Sequence, residues 1–472
     1  MSSTYKYPIN FEELEKLYQI LARELSERSN SEQILNMEAL TDLRSQYQIA
    51  KDALSLEELK SKIQHYLKHS TWVQGENFLG HQVAVPNIGS AIGDACNGVI
   101  NNSAAVYDMG AAAIAIEKNL IDWSLNKIGW TSENASGILT HGGSIANLTA
   151  LLAARAKKFP DSWKDGAPNG ALIFTSEITH YCVKRAAAIL GMGESSVNSI
   201  ETDEQGHLKI AALENALQSA RKNHQPVMAV VANAGATATG VFDPISDIAA
   251  LCKSFDCYLH IDGAHGANFL LCPGFRKKHL QGIEYADSVV WDFHKGLQCS
   301  SLCAAVLFKD QSDLANAFNQ DAPYLSTSDK PVEDSEYLFP YTIECTKPAI
   351  AFKAYLAIAS AGESNLKNHL VNVIERTQEY FSYLNEQLDF NCPIEPETNI
   401  LLFKYSQTIS QRISQRKIYN EVLKRGKFHI TFTEFKGEEF LRFTVTHPNS
   451  SLQTLQNLLQ EIRSIGESIG VD

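Results

Sequence analysis

The sequence predicts an α/β protein: a large doubly wound domain with a mostly parallel sheet, preceded by a helical segment and followed by a smaller α+β domain. Three observations predict it. Between about residues 135 and 310, short β-branched runs alternate with helical stretches. Several of these runs are apolar on both faces, as in a parallel sheet covered by helices. The chemically unusual residues follow the runs, at the strand ends where such sheets bind ligands.

Taken in order, residues 11–27 place Leu14, Leu17, Leu21 and Leu25 on one helical face, and Leu54, Leu56, Leu59 and Ile63 suggest a second helix. Two such helices cannot bury their apolar faces alone, so they pack on the rest of the chain or on a second subunit. Strands are expected at 171–175, 227–232, 258–261, 288–291 and 304–308, with helices at 146–158, 183–190, 210–222 and 245–255. From about 350 to 385 the pattern is helical again. Strands at 400–405, 429–433 and 440–446 and a last helix at 452–469 then form the smaller domain. The expected division is 1–75, 76–348 and 349–472.

Composition narrows the class. With 44% hydrophobic and 20% charged residues the chain is an ordinary globular protein. A net charge of −13 argues against nucleic-acid and anionic-membrane partners. No run approaches the ~18 apolar residues of a membrane span, and acidic residues stand where a signal peptide needs an apolar stretch. The nine cysteines are scattered, without a Cys-x-x-Cys pair, and read as reduced thiols; a cytoplasmic location is expected.

The sharpest motif is Asp292-Phe293-His294-Lys295, directly after an apolar run. Desolvation lowers a lysine pKa, and a neutral amine is what an aldehyde needs to form an imine. Alone, such a lysine is more often a surface residue. Upstream, His260-Ile261-Asp262-Gly263-Ala264-His265 puts a carboxylate at a strand end, followed by small residues. A pyridine nitrogen needs such a partner, and Ala264 leaves room for a flat ring. A turn or helix cap explains Asp262 as well. A metal site of His260, Asp262 and His265 is a further, weaker alternative: His260 and Asp262 share a strand face, but no third histidine follows at zinc-site spacing.

Thr140-His141-Gly142-Gly143-Ser144-Ile145-Ala146-Asn147 leads into a helix, where glycines, a hydroxyl and free N–H groups make an anion site or a plain cap. Neither a GxGxxG nor a Walker pattern is present. His180, in Ser176-Glu177-Ile178-Thr179-His180-Tyr181, can stack on a ring or be a satisfied strand-end histidine. Asn233 to Gly240 ends another strand in small and hydroxyl residues, Thr237 among them. An imine-forming lysine, a pyridinium partner and a phosphate cradle together suit pyridoxal 5′-phosphate.

In this order the four segments resemble the group II pyridoxal-phosphate-dependent decarboxylases, the family of the glutamate, aromatic-amino-acid and diaminobutyrate decarboxylases, over roughly 70–470. The resemblance implies the fold type I architecture with a seven-stranded sheet. It makes Lys295 the Schiff-base lysine, Asp262 the pyridinium partner and His180 the stacking imidazole. Gly143, Ser144 and Asn147 lie near the phosphate, with His294 reaching it too, and Thr237 lies near the cofactor. Ala236 stands where a second threonine is usual.

For the substrate, the resemblance implies that Arg442 binds a carboxylate, as its planar fork suits, and that His81 and Gln82 approach the side chain. Residues 329–342 match the mobile catalytic loop, with Tyr337 the proton donor and Tyr341 in reserve. Thr346-Lys347-Pro348 departs from the family's paired arginines. The implied activity is decarboxylation of an L-amino acid to its amine through a Schiff base and a quinonoid, in a homodimer with its active site at the interface. The alternatives are another fold type I lyase that breaks a C–C bond beyond Cα, as in sphingosine-phosphate lyase, and a non-catalytic cofactor-binding relative.

Overall fold

The computed structural model describes residues 9–318, 336–406 and 414–469. Three helices open it: α1 (Phe11–Arg28), α2 (Leu40–Gln46) and α3 (Leu56–His69), and none contains a buried residue. Next come α4 (Ile88–Ile100) and α5 (Tyr107–Ile128). Strands and helices then alternate: β1 (Ser136–Thr140), α6 (Gly143–Lys158), the single turn α7 (Ser162–Asp165), β2 (Leu172–Ser176), α8 (Cys182–Ile189) and β3 (Val197–Ile200). The alternation continues through α9 (Ile210–Lys222), β4 (Val227–Asn233), α10 (Ile245–Phe255), β5 (Tyr258–Asp262) and α11 (Pro273–His279). It closes with β6 (Ser288–Asp292), α12 (Phe293–Gly296), β7 (Ala304–Phe308) and α13 (Gln311–Ala317).

These strands form one seven-stranded sheet in the order β1-β7-β6-β5-β4-β2-β3. All run parallel except β7, which is antiparallel to both its neighbours. The carboxyl ends of β1, β2, β4, β5 and β6 therefore open on one edge. Strands β6 and β7 are buried along their whole length, as apolar runs sandwiched by helices must be.

The remaining elements are α14 (Ala351–Ala361), α15 (Glu363–Asn385), β8 (Phe390–Asn391), β9 (Ile400–Tyr405), α16 (Gln415–Arg425), β10 (Thr431–Phe435), β11 (Glu438–Thr444) and α17 (Leu452–Ile469). The second sheet runs β10-β11-β9-β8. Its last two strands sit about two residues from the expected 429–433 and 440–446.

Several elements escape the sequence pattern, among them β1, β3, α4 and α5. β1 contains a glycine and β3 is four residues long with two positions not buried. The long α5 carries a weak amphipathic pattern and a kink at Gly110. In α4 the glycines that argue against a helix are its contact surface: a Cβ at Gly89 would lie 2.2 Å from the Leu356 carbonyl oxygen, and one at Gly93 2.5 Å from Lys353 Cα. Both contacts are with α14.

Compactness groups the chain differently from the three expected segments. One unit takes residues up to His81, Ser382–Asn391 and the chain from Phe403 on; the other takes Gln82–Phe381 and Cys392–Leu402. Backbone hydrogen bonds explain the first grouping: the Ile34 and Leu35 amides both reach the Gly426 carbonyl, Leu79 N donates to His429 O, and Thr444 N donates to Leu79 O. Among the described residues, no helix is long and apolar enough to cross a membrane.

Candidate active site

In the unit of the seven-stranded sheet, the strand ends enclose a cavity of about 290 Å³. Gly143, Ser144 and Asn147 come to its wall from the turn after β1, His180 from the segment after β2, and Thr237 from that after β4. Asp262, Ala264, His294 and Lys295 complete the set from β5 and β6. The structure thus brings together the whole expected cofactor set, on the open edge of a parallel sheet. Ala236 also lines the wall.

The turn into α6 is held by side chains as well as backbone. Asn147 Nδ2 donates to the Gly143 carbonyl at 2.8 Å, so its Oδ1 accepts from His260 Nε2 at 2.8 Å. His260 Nδ1 is then the acceptor for the Ser288 hydroxyl, and burial pulls this imidazole down to about 4, keeping it neutral. Asn147 therefore acts on the cradle from behind. The same bonds occupy both nitrogens of His260, which removes that ring as a metal ligand beside Asp262; His265 bonds Asn399 through Nε2 at 2.8 Å. A separate group whose ligand atoms lie within 4.8 Å of one another, Glu38, His65 and His69, belongs to the other unit.

Lys295 departs from expectation in its charge. Burial pushes its amine down, but Asp292 and Asp262 together push it up by more, so its pKa lies above the ordinary lysine value. Asp292 Oδ2 is 3.1 Å from the Lys295 ammonium and 3.7 Å from His294 Nε2, while its Oδ1 is buried without a partner among the described residues. A Cβ on Gly143 would stand 2.8 and 2.9 Å from the two Asp292 oxygens, so glycine is required where the cradle passes this carboxylate. His180 is shifted down, chiefly by burial, against the pull of Asp262. Its Nδ1 accepts from Cys182 N at 3.3 Å, which leaves the ring flat-walled and uncharged.

The residues expected at the substrate are not among those that line this cavity. Tyr337 and Tyr341 are not on the cavity wall; Tyr337 is buried with its ring 6.1 Å from Phe339, and Tyr341 packs on an apolar cluster. Of the loop 329–342, residues 329–335 lie outside the described residues. Gln82 is buried, its amide nitrogen without a partner among the described residues. His81 and Arg442 belong to the other unit, where the His81 and His429 rings are 5.5 Å apart. Arg442 is buried on β11; Nη1 donates to Thr431 Oγ1 at 3.0 Å, and Nε and Nη2 have no partner among the described residues. Burial pulls its guanidinium down to about 10.

Among the wall residues without an assigned role from sequence are Asp292 and His141. Both stood inside quoted motifs, and the signal for each was a titratable group at a strand end.

Comparison with known proteins decides the family. The model of the pyridoxal-dependent decarboxylase conserved domain matches residues 37–406. The chain belongs to that family. This decarboxylase is 29% identical over 386 residues to "Acidic amino acid decarboxylase GADL1" of Xenopus tropicalis, covering 78% of this chain and 75% of that one. It is 28% identical over 427 residues to the protein of that name from Bos taurus, covering 87% and 81%. Its fold matches the crystal structure of mouse CSAD with a TM-score of 0.90 at 23% identity, over 97% of this chain and 99% of that one. It also matches Oryza sativa TDC with PLP and tryptamine, at 0.88 and 18%, over 99% and 100%. The protein is thus a fold type I, pyridoxal-phosphate-dependent amino-acid decarboxylase.

The residues present fit the cofactor. The donor set offers a lysine for its aldehyde, a strand-end carboxylate for its pyridine nitrogen, an imidazole for its ring face, and a glycine-bearing helix N-terminus for its phosphate. Bound there, pyridoxal phosphate supplies an electron sink that lets an amino acid lose its carboxylate as carbon dioxide.

Proposed function

We propose that the enzyme decarboxylates an acidic L-amino acid to its amine, with Arg442 gripping a substrate carboxylate. The single observation that carries this reading is the buried guanidinium, two of whose nitrogens have no partner among the described residues. A buried charge left so is costly, and a carboxylate meets the Arg442 fork with two parallel hydrogen bonds. The imidazoles beside it do not compete as cations: burial pulls His429 down to about 4 and pulls His81 down as well, Arg442 adding to the latter shift. The relatives named for acidic amino acids favour the same class.

In this reading Lys295 attaches the cofactor, Asp262 holds the proton on its pyridine nitrogen, and His180 covers its ring. Gly143 and Ser144 cradle the phosphate, with Thr237 and His294 in support. The enzyme is a cytoplasmic homodimer, and a second copy covers the apolar residues of α1 and α3 that stay exposed, such as Phe11, Tyr18, Leu59 and Tyr66.

Purified, cofactor-saturated enzyme should be incubated separately with L-aspartate, L-glutamate, L-2,4-diaminobutyrate, L-ornithine and L-dopa, scoring carbon dioxide and amine by mass. At least about a hundredfold preference for an acidic substrate is expected, the scale at which a site built for a polar group rejects analogues lacking it. Faster turnover of diaminobutyrate, ornithine or dopa overturns the assignment. Sedimentation that finds only active monomer at micromolar concentration overturns the dimer.

A further inference from the structure

We propose that Glu38, His65 and His69 bind a zinc ion that ties the segment before α2 to α3. All three residues belong to the unit that begins with α1, whereas Lys295 belongs to the other. His65 and His69 stand four residues apart on α3, so both imidazoles project from one face of the helix. Their ring centroids are 4.5 Å apart. Glu38 reaches them from the stretch between α1 and α2, and one ligand atom from each of the three lies within 4.8 Å of the other two.

The spacing is that of a coordination shell. His69 Nε2 and Glu38 Oε2 are 3.3 Å apart. Two ligands at zinc bond lengths of about 2.0–2.2 Å stand about 3.3–3.5 Å apart on a tetrahedral ion. A triangle no wider than 4.8 Å closes on a common ion with shifts of less than about 1 Å.

The two rings are also oriented as ligands. His65 Nδ1 is 3.0 Å from Tyr47 Oη. With Nδ1 donating to that oxygen, Nε2 carries the free lone pair; a ligating histidine is commonly fixed in this way through its other nitrogen. The His69 side chain is only 9% exposed, and its Nδ1 has no partner among the described residues, so Nε2 is the nitrogen through which this ring is held. His69 is the last residue of α3, where the carbonyl end of a helix favours positive charge. Lys62, about one turn before His65, donates to the Gln46 carbonyl and lies 5.9 Å from the centre of the Tyr47 ring, which commits its charge to the end of α2.

Two imidazoles and one carboxylate select the class of ion. They suit zinc and its late first-row neighbours, whereas magnesium and calcium take oxygen ligands. Three protein ligands leave the fourth position to water. The use of such an ion follows from the fold. None of α1, α2 and α3 contains a buried residue, so these helices have no apolar core of their own to fix them. Bonds from one ion to Glu38 and to both histidines fix the stretch before α2 against α3 by coordination, and binding free energy becomes folding free energy there.

The test titrates zinc chloride into holoenzyme that has been dialysed against a chelator, in competition with a chromophoric chelator. One zinc ion per chain should bind with a dissociation constant of about a micromolar or tighter. Magnesium chloride at about a thousandfold higher concentration should not displace it. Glu38→Gln and His65→Gln should each weaken zinc binding at least about a hundredfold, and Tyr47→Phe about tenfold, the range for losing a group that orients a ligand. Cofactor content should be unchanged in all three, since none of these residues lines the cavity of Lys295. In the wild type, added zinc should slow amide exchange over residues 38–69. Zinc bound with wild-type affinity by both Glu38→Gln and His65→Gln, as thiols or the cofactor would bind it, overturns the proposal. So does the absence of any site at micromolar zinc, which makes Glu38 and His69 an ion pair only. If a variant loses its cofactor, amide exchange in the wild type decides: slowing confined to 38–69 supports the site, and slowing elsewhere or nowhere overturns it.

Discussion

Lys295 Nζ lies 3.1 Å from Asp292 Oδ2, so the lysine proposed to hold the cofactor and the carboxylate at the end of β6 face each other as an ion pair inside the cavity wall. The pairing keeps the amine charged in spite of its burial. Asp292→Asn removes the nearer of the two negative charges. Cofactor uptake by the cofactor-free variant, followed by visible absorbance against pH, should then reach half its limiting rate at a lower pH than in wild type. An unmoved or higher midpoint excludes Asp292 as the group that controls the lysine.

Attachment itself is directly readable. Borohydride reduction of the loaded enzyme should fix the cofactor to Lys295, and peptide mapping of Lys295→Ala should find none. Asp262→Asn should cut turnover about 10²-fold or more, the scale of losing one preorganised electrostatic partner. Unchanged turnover would deny Asp262 its role at the pyridine nitrogen.

Arg442→Lys tests the carboxylate grip. The charge is kept and the planar fork lost. KM should rise by the equivalent of about 1.5–3 kcal/mol, the worth of hydrogen bonds to a charged group. Pyridoxal phosphate affinity should survive. A rise in KM for L-dopa equal to that for the acidic substrate would locate the grip on the α-carboxylate common to both.

A clamp away from the cavity sets a pH limit on stability. His207 Nε2 is 2.7 Å from Glu397 Oε1 and its Nδ1 3.1 Å from Asp203 Oδ2. Hydrogen bonding to Glu397 leads the causes that raise this imidazole to about 9, from an ordinary 6.5. Because the folded value is raised, the stabilisation is complete below about pH 6.5 and is lost as pH rises through about 9. His207→Gln should cost about 1–2 kcal/mol in denaturant unfolding at pH 6.5, a discount for partial exposure included. The difference between the two proteins should narrow steadily toward pH 9.5, roughly where a group with this shift has lost its charge in both states; a constant gap would show that the charge is not what stabilises.

Much of this molecule is determined by short stretches of sequence alone. Apolar runs such as 288–291 become strands because burial on both faces suits β-branched residues, and Asp262 and Lys295 stand out because each follows closely on such a run. The matching helices α9 and α10 follow from a period of 3.6 that needs no distant partner. What the tertiary structure decided lies in pairs far apart in the chain. His141 meets Glu344 across 203 residues, and Lys347 meets Glu117 across 230. The charge of Lys295 belongs to the same class, since burial alone argues for a neutral amine and only the placement of Asp292 and Asp262 reverses it. Arg442 reads as a strand arginine in sequence; its burial and its unpartnered nitrogens exist only once β10 and β11 pair. Local periodicity records what one segment needs to bury, whereas the ionisation and pairing of a side chain depend on which other segments are folded against it.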